Sequence, residues 1–362
     1  MIKTIRVLHT EWSNGWGGQE IRIIHEMKMM RSEGAEVYLA CRENSMIKDE
    51  AIANNIKVFS LPFRGNTDLK TLFHLKKLIK YYSIDIVNTH SGKDTWVGGL
   101  AAKLAGVKFI RTRHLSNKIN PSRLNFINEL ADYIFTTGEK VRDDMIKYNR
   151  IKENKISSIP TGIDESIFNP ENFNRDECRK KLSINDSEIA IGILAVLRQF
   201  KRHDLFLKMA KSLIKKYPGK RLVFIIAGNG PQKENIEKII NDLNLAENVK
   251  MVGHINNVPE FLCAIDILVL SSDSKEGVPQ SVMQGLFMNK PVVSSDSGST
   301  RDLFNHNNFQ LIQKGSIEAL INGVSIYLDN MNEVSSRKYM MENFSSSVMV
   351  KKIMSSYEKI LE

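Results

Sequence analysis

The sequence predicts an α/β protein built as two Rossmann-like, doubly wound parallel sheets. Three observations predict it. Short, branched apolar runs alternate with longer segments of helical period, the pattern of strand–helix–strand units. The alternation stops at PTGIDESIFNPENFNRDE, a turn-rich stretch between Pro160 and Glu177, and then begins again. A chain of 362 residues also exceeds what one core ordinarily serves. We therefore expect a first domain over residues 1–168, a second over 169–343, and a closing helical segment over 344–362.

The elements follow in order. IRVLHT reads as the first strand, GWGGQE as a glycine turn, and Ile21 to Arg31 as a helix with Ile23, Ile24, Met27 and Met30 at core spacing. VYLAC and VFSL are the second and third strands. Leu69 to Tyr82 is a helix with Leu72, Leu75 and Leu78 near one face. IDIVNTH is a fourth strand ending at His90. VGGLAAKLAG is a small-residue helix suited to close packing, and VKFIRTRH is a strand ending at His114. ADYIFTTG and KISSIPTGID follow with a helix between them. The second half starts again with IAIGILAVL, a helix from Asp204 to Lys216, LVFIIAG, the turn GNGPQ and a helix from Glu234 to Leu243. VKMVGH, IDILVLSS and PVVSS continue that sheet, and Phe344 to Leu361 reads as one last helix. In such sheets ligands sit at the carboxyl ends of the strands.

Composition narrows the class. The chain is 42% hydrophobic and 25% charged, as in a soluble globular protein. Cys41, Cys178 and Cys263 are odd in number and far apart, which predicts neither a disulfide framework nor a metal site and favours a reducing cytosol. MIKTIRVLHTEW has no long apolar core, so it reads as a strand and not a signal peptide. The longest apolar run, Ile189 to Leu197, is far short of a membrane span. Of the net charge of +10, residues 1–165 carry most, with 26 Lys+Arg against 19 Asp+Glu. No acid occurs between Thr95 and Asn128, where Lys103, Lys108, Arg111, Arg113, Lys118 and Arg123 stand. The helix at Leu69–Tyr82 adds Lys70, Lys76, Lys77 and Lys80. A solvated face is the ordinary meaning of that pattern, and an anionic membrane surface is the functional one. Nucleic acid has no recognised motif to support it here.

The densest chemistry lies from Ser272 to Asp302. Two buried-strand runs, Ile265–Leu270 and Pro291–Val293, flank EGVP and a helix beginning near Pro279, since proline suits the first helical turn. That helix start favours an anion. Glu276 just before it has two readings: a helix cap, or a carboxylate that holds sugar hydroxyls.

EGVPQSVMQGLFMNKPVVSSDSGS resembles the donor-binding signature of the retaining glycosyltransferases of family four. The resemblance covers nearly the whole chain, most strongly from Ala195 to Asp302. It implies the GT-B fold: two Rossmann-like domains facing a cleft, with the last helix crossing back to the first domain. Glu276 matches the family's first glutamate, against the donor sugar, and Gln284 stands in place of the second, against the ribose. Asn289 stands where glycine is usual, and Asp302 where glutamate is usual. In AVLRQFKRHD, Arg198 and Lys201 match the cations that grip the diphosphate, with Arg202 in a usual glycine position. Gly228 in GNGP, Gly253 in VGH, and Gly277 and Val278 in EGVP match loops lining the nucleotide pocket. Gly17 and Gly18 match the turn that approaches the donor phosphate. His114 matches the histidine at the reaction centre, with His90 as support. His9, His25, His74 and His203 read as ordinary structural histidines.

The function implied is transfer of a sugar from a UDP- or GDP-sugar to a glycan or lipid-linked acceptor, with retention and without metal or other cofactor. The leaving diphosphate can take the acceptor's proton, so the protein's part is positioning and charge stabilisation. The family's context is bacterial surface polysaccharide assembly, in the cytoplasm or on the inner face of the cell membrane. No paired carboxylates of glycosidase type, nucleophile elbow or zinc motif occurs. Two alternatives stay open: a sugar-nucleotide epimerase of the same fold, and a non-catalytic protein that binds membrane or nucleic acid through the basic first domain.

Overall fold

A computed structural model describes residues 4–114, 119, 123–274, 276–305, 308–330 and 335–362. Lys118 of the acid-free stretch and the side chain of Arg123 lie outside that description. The chain divides into two compact units, Met1–Gly162 with Ser346–Glu362, and Ile163–Ser345.

The first unit holds β1 (Arg6–Glu11), β2 (Glu36–Cys41), β3 (Lys57–Ser60), β4 (Ile86–Thr89), β5 (Lys108–Arg113), β6 (Tyr133–Thr136) and β7 (Ile156–Ser158). They form one parallel sheet in the order β3-β2-β1-β4-β5-β6-β7. The crossovers are α1 (Gly18–Ser32), α2 (Met46–Ala53), α3 (Leu69–Tyr81), α4 (Gly92–Ala105) and α5 (Glu139–Asn149). β1 and β4 are buried along almost their whole length because helices cover both faces of the sheet.

The second unit repeats the plan. β8 (Glu188–Leu194), β9 (Arg221–Ala227), β10 (Val249–Gly253), β11 (Ile267–Leu270), β12 (Val292–Ser295) and β13 (Gln310–Ile312) form a parallel sheet ordered β10-β9-β8-β11-β12-β13. Its helices are α6 (Arg175–Lys181), α7 (His203–Lys216), α8 (Lys233–Asp242), α9 (Val258–Ala264), α10 (Gln280–Phe287), α11 (Ile317–Asp329) and α12 (Arg337–Phe344). Each unit thus has the Rossmann strand order, in which the chain reverses direction across the sheet beside the first strand.

The last helix, α13 (Ser346–Leu361), belongs to the first unit. Met349, Val350, Ile353 and Tyr357 pack with Ile23, Met27, Ile86 and Phe135 in one core. The sequence places its start at Phe344, but Phe344 ends α12 and Ser345 is extended, so the two helices are separate.

Three local expectations change. The helix after EGVP begins at Gln280; Pro279 is its N-cap with ψ of 115°, outside the first turn. The N-cap proline offers no side-chain cap, and the Glu276 carboxylate meets Lys201 Nζ instead. Asn289, in a glycine place, has φ of 53° just after α10. Asparagine tolerates that left-handed conformation at a helix end, and its Oδ1 accepts from the Arg337 N–H at 2.8 Å.

Candidate active site

At the carboxyl end of the second sheet the loops come from β8, β9, β11 and β12. The loop after β8 makes a tight turn over Gln199–Lys201, with exposed Arg198 just before it and Arg202 at φ of 53°. A glycine adopts that conformation freely, which accounts for the family's preference there. Arg202 holds it through ion pairs, at 2.8 Å to Asp204 and 3.3 Å to Asp273. Ser271, after β11, donates to the carbonyls of Lys201 and Arg202 at 2.9 and 3.0 Å and ties the two loops together.

That tie brings Lys201 to Glu276. Lys201 Nζ lies 2.5 Å from Glu276 Oε1, across 75 residues of sequence. The two side chains are 15% and 8% exposed, so water screens the pair only partly. The sequence motifs treat the cation and the carboxylate separately; the structure joins them. An ammonium has three N–H groups and a carboxylate two oxygens, so each retains capacity for a ligand.

The backbone around this pair is close-packed. Gly298 has φ of 62°, and a Cβ there would lie 1.9 Å from the Glu276 carbonyl oxygen. Gly228 has φ of 143°, and its Cβ would lie 1.9 Å from the Ala195 carbonyl oxygen. Both positions admit only glycine, because a methyl group would overlap the neighbouring main chain. Gly253 closes β10 in the left-handed region. The Gly277 carbonyl accepts from the Ser299 N–H at 3.1 Å, and Val278 packs against the core cluster beneath. Gln284 is half-buried in the second turn of α10. Asp302 stands in a short turn at Thr300–Leu303. A cavity of about 540 Å³ opens beside Arg198 and is lined by Phe200, Arg202, Gln232, Asn235 and Asp273. Arg198 itself lines it, whereas Lys201, Glu276 and Gln284 do not.

At the carboxyl end of the first sheet the chemistry differs. β1, β4 and β5 are neighbours, and each carries a histidine at or near its end. His9 Nδ1 meets His90 Nε2 at 2.9 Å, and His90 Nδ1 meets His114 Nε2 at 2.9 Å. Burial lowers the pKa of all three, His9 to about 3. Arg22 further disfavours protonation of His90 and His114, and Arg113 and Arg111 of His114. From sequence alone His9 reads as an ordinary structural histidine. Its signal was available: the Rossmann order puts the strands of His9, His90 and His114 side by side.

Two carboxylates complete this end. Asp94 is buried at the start of α4 and accepts from Thr10 Oγ1 at 2.7 Å and from the N–H groups of His90 and Ser91 at 2.9 Å each. Glu11 accepts from the Ser13 N–H at 2.7 Å and Gln19 Nε2 at 2.5 Å. Burial, then the nearby Asp94 charge, raises its pKa to about 8. Gly17 is the N-cap of α1 and Gly18 its first residue, but the Gly17 N–H is already taken by Glu20 Oε2 at 2.9 Å. Among the described residues no group of three or more His, Cys, Asp or Glu is placed to hold a metal ion.

Known proteins share this fold. Residues 174–345 match the family model described as glycosyl transferases group 1, and residues 16–167 the model described as glycosyltransferase family 4. The chain is 26% identical to UDP-Gal:alpha-D-GlcNAc-diphosphoundecaprenol alpha-1,3-galactosyltransferase of Escherichia coli, covering 98% of this chain and 96% of that one. It is 26% identical to the putative glycosyltransferase EpsF of Bacillus subtilis, over 81% of this chain and 79% of that one. A glycosyltransferase structure from Rickettsia africae superposes with a TM-score of 0.90 at 19% identity, covering 99% of both chains. Anabaena HepE in complex with UDP superposes with a TM-score of 0.85 at 16% identity, covering 98% of this chain and 100% of that one.

Proposed function

This chain belongs to the family-four, group 1 glycosyltransferases of GT-B fold, and from that premise we propose that it moves a sugar from a UDP-sugar to a lipid-linked saccharide with retention at the anomeric carbon. The observation that carries the reading is the Lys201–Glu276 pair at the carboxyl end of the second sheet. It sets a cation for a diphosphate beside a carboxylate for sugar hydroxyls, the two demands a nucleotide sugar makes. UDP is preferred to GDP because the Escherichia coli relative is named for UDP-Gal and HepE was solved with UDP. The lipid-linked acceptor follows from the diphosphoundecaprenol in that relative's name. Polysaccharide assembly at a bacterial membrane is the matching context.

In this reading Arg198 and Lys201 take the diphosphate and Glu276 the donor sugar. Gln284 takes the ribose, and Gly228, Gly253, Gly277 and Val278 line the nucleotide. Gly17 and Gly18 take the turn that approaches the donor, although Glu20 leaves the Gly17 N–H no free donor capacity. His114 stands against the transferred sugar, with His90 behind it. The diphosphate leaves and accepts the acceptor hydroxyl's proton, so no enzymic nucleophile is used. The two cations supply the positive charge that a metal supplies elsewhere, and activity is expected to survive EDTA.

Membrane contact has its own support. Leu69, Phe73, Lys77 and Tyr81 fall on one exposed stripe of α3, spaced four residues apart, with Lys70 and Lys80 exposed beside them. Apolar and aromatic side chains beside lysines suit an anionic headgroup layer. No helix among the described residues is long and apolar enough to cross a membrane.

The deciding experiment is a thermal-shift panel of UDP-galactose, UDP-glucose, UDP-N-acetylglucosamine and GDP-mannose. A ligand at a hundred times its Kd adds about 2.7 kcal/mol of stability. Stabilisation by a UDP-sugar, followed by transfer to diphosphoundecaprenol-GlcNAc with an α linkage in NMR, supports the reading. No shift with any of the four, or transfer that EDTA abolishes and magnesium restores, overturns it.

A further inference from the structure

The three histidines of the first unit form a chain whose protons can be counted. Each of its two contacts, His9 Nδ1 to His90 Nε2 and His90 Nδ1 to His114 Nε2, uses one N–H and one bare ring nitrogen. Burial and the neighbouring Arg22, Arg111 and Arg113 keep the rings neutral, so each has one N–H. Two of these lie in the contacts. The third must sit at one end of the chain, on His9 Nε2 or on His114 Nδ1.

The ends are not equivalent. His9 is fully buried, and its Nε2 has no hydrogen-bond partner among the described residues. His114 is only partly buried. A buried N–H without an acceptor is rarer, and more costly, than a buried acceptor without a donor. The chain therefore runs outward: His9 donates from Nδ1 to His90, His90 donates from Nδ1 to His114, and the third proton rests on His114 Nδ1.

We propose that His9 and His90 are positioning residues that hold His114 as its Nδ1–H tautomer, so that it meets the substrate as a hydrogen-bond donor and not as a base. This rests on the reading that His114 stands at the reaction centre. It fits the rest of that reading, because the leaving diphosphate takes the acceptor's proton and leaves no need for a base. A fixed N–H instead stabilises a substrate oxygen on which charge grows during transfer. With the opposite tautomer His114 would present a lone pair to that oxygen and repel it.

The test uses the full chain labelled with ¹⁵N-histidine and long-range ¹H–¹⁵N correlation at pH 7, with the three rings assigned by substitution. The expected result is an Nδ1–H neutral pattern for His9, His90 and His114 alike. An Nε2–H or imidazolium pattern at His114 overturns the proposal. His9→Phe removes the anchor, and His114 is then expected to show both tautomers, with kcat reduced about tenfold and donor KM little changed. His9→Asn offers an amide N–H near the lost Nδ1 and is expected to restore the His114 pattern and the rate. An unchanged His114 pattern in His9→Phe overturns the relay even if the wild-type tautomer is as expected. The spectra need no substrate, so failure to bind any nucleotide sugar sinks the functional reading and not the tautomer, and a wrong tautomer in an active enzyme sinks only the relay.

Discussion

At the carboxyl end of the first sheet, Glu11 is buried beside the like charge of Asp94 and its pKa rises to about 8. At the same end of the second sheet, Glu276 is nearly as buried, 6% against 0% exposed, and stands 2.5 Å from Lys201. The two ends share strand order and depth. They differ in the partner each carboxylate meets. A buried carboxylate beside another is driven toward its neutral form, whereas one beside an ammonium is held in an ion pair. One topology thus provides one end where a carboxylate keeps its proton beside three neutral histidines, and another where a carboxylate is ion-paired with a lysine. The topology places the loops, and single residues in them decide the electrostatics.

The largest test of this contrast removes the partner. Lys201→Ala leaves Glu276 buried without its cation, which costs about 3–5 kcal/mol. Urea unfolding read from the second unit should show that loss, and calorimetry should show weakened UDP binding. Wild-type stability together with wild-type UDP affinity would make the pair incidental.

Next comes the carboxylate itself. Glu276→Gln keeps the shape and loses the charge, and we expect kcat to fall about 100-fold, near 3 kcal/mol, with UDP affinity changed far less. Gln284→Ala should do the reverse, weakening UDP with less effect on the chemical step. Steady-state kinetics beside UDP titration separates the two, and normal turnover in Glu276→Gln would end the assignment.

The neutral end is tested by pH. The folded chain keeps a proton on Glu11 that the unfolded chain sheds above about pH 4.5. That stability is complete below pH 4.5 and is lost as pH rises through about 8. Glu11 and Asp94 titrate as a pair, and at about 1.4 kcal/mol per pKa unit the loss should be several kcal/mol, at most about 5, between pH 4.5 and 8. Glu11→Gln should flatten it, as read by hydrogen exchange of β1 at pH 5 and pH 8. An unchanged slope would show that Glu11 is ionised in the fold.

The smallest effect concerns the backbone. Asn289→Gly relieves the left-handed φ of 53° but loses the bond to the Arg337 N–H, and the two should nearly cancel, within about 1 kcal/mol. Asn289→Val should instead be clearly destabilising in the same melting experiment, since a branched side chain resists that conformation.

The strands were legible because parallel strands covered on both faces must be short apolar runs, and ILVL and IVNT with their neighbours announced themselves. The helices Met46–Ala53, Arg175–Lys181 and Val258–Ala264 and the strand Gln310–Ile312 are too short to show a period, and sequence reading passed over them. Local motifs single out Arg198, Lys201 and Glu276 as candidates. The bond between Lys201 and Glu276 was not legible, because it depends on how the loops after β8 and β11 are tied by Ser271. The contact of His9 with His90 was not legible for a related reason: nothing beside His9 in sequence distinguishes it, and the contact joins strands that lie far apart along the chain. Arg202 and Asn289 departed from the family pattern, and only their positive φ values explain why glycine is usual there.

The helix Ser346–Leu361 carries one more consequence, which concerns the ribosome. Its Tyr357 is fully buried, and the tyrosine hydroxyl accepts from Asn88 Nδ2 at 3.0 Å in the first unit. The first unit emerges early, yet its core lacks Met349, Val350, Ile353 and Tyr357 until the intervening Ile163–Ser345 has been made. At 5–20 residues per second, translation of that segment lasts roughly 10–40 s. Through that interval the nascent first unit lacks the helix that completes its core.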